Sequence, residues 1–216
     1  MVFDCNVYLD VARLLGSPFT QSDFTQAAAR LVSVPVPHPG SPASDSLRAI
    51  AVCTSGIFFG EERLEVWSSD HIVDMVEYKA HEPTTPKPGS DLKGLGWSSA
   101  DAVNLVEDLV MPLVRATRGE LLTTGRPEGN PPLDHEDGLV FGLCRYLSDH
   151  DPLSQVYCVT NDGGFLQAYK DGELGDHTIV LTPARFLTLV RAARGHINAA
   201  QAISRMPRPT ITATTA

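Results

Sequence analysis

Short apolar runs alternate with helix-period stretches along most of this chain, and polar residues follow the ends of the runs. Val2-Phe3 is closed by Asp4-Cys5-Asn6, and a helix follows from near Val7. Leu64–Trp67 alternates like a strand. Ser68 or Ser69 then suits the N-cap of a helix carrying Ile72, Val73, Val76 and Lys79. Ser98 or Ser99 caps a further helix, with Val103, Val106, Val110 and Leu113 at helical spacing and Pro112 expected to kink or shorten it. Leu121–Thr123 reads as a short strand, and Asp134–Leu147 as a helix with Leu139, Val140, Leu143, Tyr146 and Leu147 on its apolar side. Val156–Val159 is the clearest buried strand and Ile179–Leu181 another, after which Thr182-Pro183 opens a last helix with proline at its first position. Strand–helix alternation of this kind predicts an α/β fold: a three-layer α/β/α sandwich with a mainly parallel central sheet.

Three Pro/Gly-rich stretches, Ser33–Ser46, His81–Gly96 and Gly125–Pro132, read as loops. Ser46–Cys53 reads as helical, with Leu47, Ile50 and Ala51 at i, i+3 and i+4. No internal repeat is visible, so residues 1–195 are expected to form one domain. Residues 196–216 are expected to be a partly disordered tail, especially from Met206, where proline and threonine dominate. Hydrophobic residues make up 43% of the chain and charged residues 20%, the balance of a globular protein rather than a coiled coil, a collagen or a disordered chain. No apolar run approaches the ~20 residues that cross a bilayer. Met1-Val2-Phe3-Asp4 has no basic n-region, so no signal peptide and a cytoplasmic location are expected. Cys5, Cys53, Cys144 and Cys158 lie too far apart in sequence for a zinc knuckle or a CxxC pair. Among them, Cys53, Cys144 and Cys158 read as small core residues in a reducing compartment.

Net charge is −9, from 26 acids and 17 lysines and arginines. Five arginines and no acid lie from Pro183 onward, so residues 1–182 carry 12 basic and 26 acidic groups, a balance of −14. In open parallel sheets, sites form beyond the C-terminal ends of the strands. Asp4 and Asn6 follow the first strand; Thr160, Asn161 and Asp162 follow Val156–Val159; Asp134, Glu136 and Asp137 open the helix before it. Asp134 is also well placed to cap that helix. Carboxylates clustered without a lysine or arginine repel one another, and a hard cation relieves the repulsion; Mg²⁺ or Mn²⁺ suits an oxygen-only donor set. The seven histidines are scattered, with no zinc-ligand spacing, and His135 reads as a surface helix residue. Gly163-Gly164 lacks a P-loop pattern, and Asp4-x-Asn6 lacks the second acid of a phosphoaspartate enzyme.

The order of these residues resembles the PIN-domain nucleases, whose best-known bacterial members are VapC-type toxins. Val2-Phe3-Asp4-Cys5-Asn6-Val7 is similar to that family's opening strand and Asp-x-Asn turn, and Trp67–Val76 to its strand, serine and acidic helix. Asp134–Leu139 resembles its third motif, Val159-Thr160-Asn161-Asp162 its fourth, and Val180–Leu187 its closing strand and helix. The resemblance covers roughly residues 1–190 and implies a PIN-like fold. It also implies a catalytic set of Asp4, Asp74, Asp137 and Asp162, with Asp4, Asp137 and Asp162 holding Mg²⁺ or Mn²⁺. Asn6 and Thr160 would orient these carboxylates by hydrogen bonds. The second motif departs from the family's pattern. Alignment on Ser68 puts Asp74 at the family's acidic position, alignment on Ser69 puts Met75 there, and Glu77 one turn after Asp74 is the alternative acid.

The activity so implied is metal-dependent hydrolysis of RNA phosphodiesters. The partners implied are RNA, a small antitoxin protein if the chain is a toxin, and a second copy of the chain as a homodimer. Arg191 and Arg194 lie three apart on one face of the last helix and are the candidate substrate contacts; the alternative is a basic helix end complementing its own dipole. A PIN-fold module that binds RNA or protein with weak or no catalysis is the second functional reading, and a phosphatase-like hydrolase a third.

Overall fold

The computed structural model describes residues 1–32, 40–54, 56–59, 62–85, 94–123, 126–129, 132–152, 154–174 and 178–204. It is a mixed α/β structure in which helices outweigh a small parallel sheet. Strand β1 (Val2–Phe3) lies between two partners. On one side it pairs in parallel with β6 (Val156–Val159), Val2 opposite Cys158 and Phe3 opposite Val159. Strand β6 pairs in turn with β7 (Thr178–Leu181), also in parallel, from Val156–Thr178 to Val159–Leu181. On the other side an isolated parallel bridge joins Val2 to Trp67. Directly after Trp67, β4 (Ser68–Ser69) pairs in parallel with β5 (Leu121–Leu122). The strands therefore run in the order β5-β4-β1-β6-β7, with their C-terminal ends on one edge. The predicted strand at Leu64–Trp67 is displaced: only Trp67 bridges to β1, and the ladder lies at Ser68–Ser69. An antiparallel pair, β2 (Ile57–Phe59) with β3 (Glu62–Arg63), stands outside this sheet.

Helix α1 (Cys5–Leu15) follows β1 after one residue, and α4 (Asp70–His81) follows β4 with none. Helix α7 (His135–His150) contacts β1, β4, β6 and β7, so it covers the sheet along its length. Phe3 sends its ring edge-to-face onto Tyr8 of α1, centroids 5.9 Å apart. It meets Phe186 of α9 (Pro183–Ser204) in the same way at 6.5 Å. Phe141 of α7 packs on Phe165 of α8 (Gly163–Lys170) at 6.1 Å. Packing of helices on the sheet in this way is compatible with α/β/α layering. All four cysteines are buried and free; Cys53, Cys144 and Cys158 are in the core as expected, and Cys5 is buried as well.

Two helical regions depart from the sequence pattern. Gln21–Val32 forms α2, with Thr20 accepting a hydrogen bond from the Asp23 amide at 3.2 Å. Helix α3 spans Pro42–Cys53, so the predicted loop at Ser33–Ser46 ends earlier: Ser41 caps the helix and Pro42 is its first residue. Residues 33–39, 86–93, 124–125, 130–131 and 205–216, which hold the rest of the predicted loops and the tail from Met206, lie outside the described residues. Helix α9 runs through residue 195 to Ser204, so the expected domain boundary falls inside a helix. Pro112 acts as expected, by a specific device. Helix α5 (Ser99–Leu105) passes into a π-helical turn, Val106–Val110, before α6 (Met111–Thr117) resumes. The Met111 amide reaches back to the Val106 carbonyl, and Pro112, which has no N–H to give, stands directly after it at the start of α6.

Gly119 sets the entry to β5. A Cβ at this position would run into the Val66 carbonyl, next to the Ser68 amide that bonds Glu120 O at 3.2 Å. Gly119→Ala is therefore expected to destabilise the fold by about 1–3 kcal/mol, the usual cost of overpacking. Denaturant unfolding checks this; an unchanged midpoint would show that β4 and β5 tolerate wider spacing.

Candidate functional site

Asp4 is the residue at which β1 ends and α1 begins. Its backbone is anchored to the neighbouring strand, the Asp4 amide donating to Val159 O at 3.0 Å. It holds the N-cap position of α1 and yet makes no capping bond with its side chain. The carboxylate, only 2% exposed, turns instead toward the end of β6. Thr160 Oγ1 donates to Asp4 Oδ2 at 2.7 Å, and Asn6 Nδ2 donates to the same oxygen at 2.6 Å. Thr160 Oγ1 also accepts from the Asp162 amide at 2.9 Å and from Asn6 Nδ2 at 3.2 Å. One buried threonine hydroxyl thus ties the end of β1 to the start of α8. Asn6 and Thr160, the two residues expected to orient the carboxylates, both bond Asp4 Oδ2.

The network continues outward through Asn161 to residues the sequence did not single out, Asp10, Arg13 and Ser46. Asn161 donates its amide to Asn6 Oδ1 at 3.1 Å and its side chain to Asp10 Oδ2 at 2.7 Å and to Ser46 Oγ at 3.1 Å. Arg13 closes the far side of Asp10 at 3.0 Å. Three elements, α1, α3 and the β6–α8 turn, are thereby locked together beside Asp4. Asp10 and Ser46 carry a weak signal in sequence, since each stands among apolar helix positions.

Asp162 and Asp134 behave as aspartates at helix starts usually do. Asp162 Oδ1 accepts from the Phe165 amide at 2.9 Å, and Asp134 Oδ1 from the Asp137 amide at 2.8 Å. Asp134 is exposed and serves as the cap of α7. Asp137, half-buried in the first turn of α7, makes no cap. Burial, with the negative charges of Asp4, Asp162 and Asp134 near it, pushes its carboxyl up to about 8 against a downward pull from Lys79. Asp4 is raised as well, by burial, with the Thr160 and Cys5 hydrogen bonds and the Lys79 charge working the other way. The charges of Asp4, Asp137 and Asp162 therefore act on one another.

Helix α4 contributes a cation to this cluster. Lys79 Nζ lies 2.9 Å from Glu136 Oε2 and 3.7 Å from Cys5 Sγ, so it touches the immediate neighbours of Asp137 and of Asp4. Burial disfavours its charge, but Cys5, the Glu136 hydrogen bond and the Glu136 and Asp4 charges outweigh that and hold it above the ordinary lysine value. Lys79 continues the buried stripe of Ile72, Val76 and Ala80. The structure does not bring Asp74 or Glu77 to the cluster. At about 100° per residue, Asp74 stands about 140° and Glu77 about 160° round the helix from Lys79. Asp74 is exposed and Glu77 half-buried. Ser69, not Ser68, is the cap of α4, accepting from the Ile72 amide at 3.3 Å. Registered on Ser69, the expected acidic position falls on Met75, one turn before Lys79 and packed against the core. The absence of lysine from the acidic cluster, expected from sequence, is corrected here; the signal was a lysine in an apolar helical stripe.

Arg191 and Arg194 are exposed on α9 and stand apart from these residues. Helix α9 packs on α3. Arg194 lies within electrostatic reach of Cys53, whose other cationic neighbour is the Met1 amino group at the start of β1. That is the sheet edge opposite Asp4.

The chain matches no protein-family model, no curated protein and no solved structure. Among the described residues, no three His, Cys, Asp or Glu side chains form a ready-made metal cage. The donor chemistry nevertheless suits a hard cation: three carboxylates whose charges interact, one of them buried and fixed by hydrogen bonds to a single oxygen. Among the described residues no helix is long and apolar enough to cross a membrane.

Two outcomes follow from this geometry. Thr160→Val leaves the Asp162 amide without its partner and Asp4 Oδ2 with one of its two side-chain donors, so it should cost about 1–3 kcal/mol in denaturant unfolding; a neutral result would show that water replaces the hydroxyl. Asp137 holds its proton to a higher pH folded than unfolded, so its contribution is full below the unfolded value of ~4 and is lost as pH rises through about 8. Asp137→Asn should therefore raise the melting temperature of the metal-free protein at pH 9 and leave it unchanged at pH 4. Equal shifts at both values would place Asp137 outside the field of Asp4 and Asp162.

Proposed function

We propose that this chain is a PIN-like, Mg²⁺- or Mn²⁺-dependent ribonuclease with a three-layer α/β/α architecture. The observation that carries the reading is the Thr160 hydroxyl, which joins the buried Asp4 carboxylate to the start of the Asp162 turn beside Asp137. Evolution of a fold has no packing reason to bury a carboxylate at a strand end and spare it from capping its own helix. A carboxylate kept for a ligand has that reason. Asp4, Asp137 and Asp162 would hold the ion. When bound, Mg²⁺ or Mn²⁺ supplies Lewis-acid polarisation of the phosphate and a lowered pKa for an attacking water.

The chain's own residues act before and around that event. Asn6 and Thr160 hold Oδ2 of Asp4, so its orientation is set before substrate arrives. Asn161 braces Asn6 from behind. Burial and the neighbouring carboxylates favour the protonated form of Asp137, and a bound cation would favour its charged form. Hydrolysis then adds water across one phosphodiester bond: the water oxygen joins phosphorus, one ester P–O bond breaks, and the departing oxygen takes a proton. An RNA substrate, a cytoplasmic site of action, a homodimer, and a toxin role with an antitoxin laid over the acidic edge belong to the same reading.

A second reading, a PIN-like module that binds RNA or protein without cutting, is favoured by the open spacing of the carboxylates and by the lysine among them. Incubation of the full chain with mixed single-stranded and structured RNA, with Mn²⁺ and with EDTA, separates the two. Cleavage is expected with Mn²⁺ alone, and Asp4→Asn, Asp137→Asn and Asp162→Asn should each lower it by on the order of 10²-fold or more. Asp74→Asn and Glu77→Gln should leave it within about twofold, as expected for side chains away from the cluster. Folded wild-type protein that leaves RNA intact under Mn²⁺ would establish the binding module instead.

A further inference from the structure

The N-terminal edge of the sheet, opposite Asp4, holds a cavity of about 650 Å³. That volume lies within the range of small-molecule sites, roughly 300–1,000 Å³. The approach to β4, the start of β6 and the last turn of α7 wall it, and none of Asp4, Asp137 or Asp162 lines it. The lining combines carboxylates with aromatic rings: Glu65, Glu120 and Asp151 with Trp67, Tyr146 and Tyr157. Neighbours hold several of these groups in place. Trp67 Nε1 donates to Glu65 Oε2 at 3.2 Å, and Ser154 Oγ donates to Asp151 Oδ2. The Tyr146 ring stacks on the His150 imidazole, centroids 4.2 Å and planes 30° apart, with its hydroxyl 3.2 Å from His150 Nε2. Tyr146 is nevertheless 45% exposed, a large ring kept at the cavity wall rather than in the core.

Three separate sources make this cavity electronegative. Its carboxylates outnumber its cations: Arg63 is the one arginine or lysine among the described residues that line it, and the Met1 amino group is engaged by the Glu65 carbonyl at 2.7 Å. The C-terminal end of α7, where Tyr146 and His150 stand, carries the negative pole of that helix. The aromatic rings add the negative faces of their π-systems. Carboxylates alone would suit a bare ion. Aromatic faces and a volume of this size suit a cation with a larger apolar surface, whose alkyl groups lie on the rings while the carboxylates meet its charge. We propose that this cavity binds a quaternary or methylated ammonium group, presented by a small molecule or by a methylated lysine side chain. The inference is independent of the metal-dependent reading, which uses the opposite edge of the sheet.

Calorimetric titration of the full chain tests this, at pH 8, where an ordinary histidine of pKa ~6.5 is neutral. The probes are choline, a short peptide carrying trimethyl-lysine, and the neutral isostere of choline in which carbon replaces nitrogen. At least one of the two cations should bind saturably, with a dissociation constant of about 1 mM or below. The neutral isostere should bind at least roughly tenfold more weakly than that cation. Tighter binding of the peptide would assign the group to a protein side chain, and tighter binding of choline to a small molecule; either supports the proposal. Tyr146→Leu and Glu65→Gln should each weaken the bound cation by about 3–30-fold, while Tyr146→Phe, which keeps the ring, stays within about twofold of the wild type. Circular dichroism checks that each variant is folded. Saturable binding of neither cation, equal binding of the neutral isostere, or unchanged affinity in folded Tyr146→Leu and Glu65→Gln would overturn the proposal.

Discussion

A carboxylate taken out of water must be neutralised, hydrogen-bonded or both, and Asp4 is 2% exposed. The surroundings of Asp4 meet this demand from several elements at once. Thr160 and Asn6 supply hydrogen bonds, and Lys79 supplies charge. Each of these partners must come from its own part of the chain: the end of β6, the first turn of α1 and the last turn of α4. The β1–β6 pairing puts Asp4 level with Thr160, and the α4 stripe carries Lys79 inward. The register of the sheet and the docking of two helices are therefore coupled to one buried charge. Removing a partner costs more than a hydrogen bond, because the charge remains where it is.

Asp137 shows the same problem solved differently. Three aspartates act on one another in a space partly closed to water, and the site has two internal remedies. Asp137 keeps a proton up to about 8. Lys79 offsets part of the negative charge. Neither remedy is complete, since burial still raises both Asp4 and Asp137. A site left with residual negative potential attracts a cation, and oxygen donors select a hard one. On the proposed reading stability and affinity are opposed: the feature that strains the fold at high pH is the one that would favour a bound cation.

Most of this was legible in the sequence, for physical reasons that differ between elements. Val156–Val159 and Thr178–Leu181 are buried over most of their length, so their apolar runs are unbroken and easily read. Asp4, Asp137 and Asp162 follow from the rule that polar residues after such runs collect at one edge. Helix α2 lies in a stretch to which no element is assigned from the sequence, although Phe24, Ala27, Ala28 and Leu31 keep helical spacing. The second-motif acid was misplaced for a narrower reason. Ser68 and Ser69 are adjacent and either suits a cap; choosing between them shifts every downstream position by about 100° on the helix. Only the bond from Ile72 N to Ser69 settles the register, and with it the exposure of Asp74 and the inward course of Lys79.

The arginines of the last helix show why charge counted along a chain does not locate a surface. Thr182 ends β7 at the same edge as Asp4 and Asp162, so the sequence just beyond it begins near the site. A helix rises 1.5 Å per residue, and Arg191 is eight residues past Pro183, so it lies roughly 12 Å along α9. The burial of Phe186, Leu187 and Val190 keeps the helix against the body of the protein, and it packs on α3. Arg194 accordingly arrives near Cys53 and the start of β1. Of the basic residues in this helix, Arg185, exposed in its first turn, remains closest in sequence to the acidic edge. Arg194 and the acidic cluster therefore lie toward opposite edges of the sheet. Their separation follows from the direction of one helix, which the net charge of −9 does not encode.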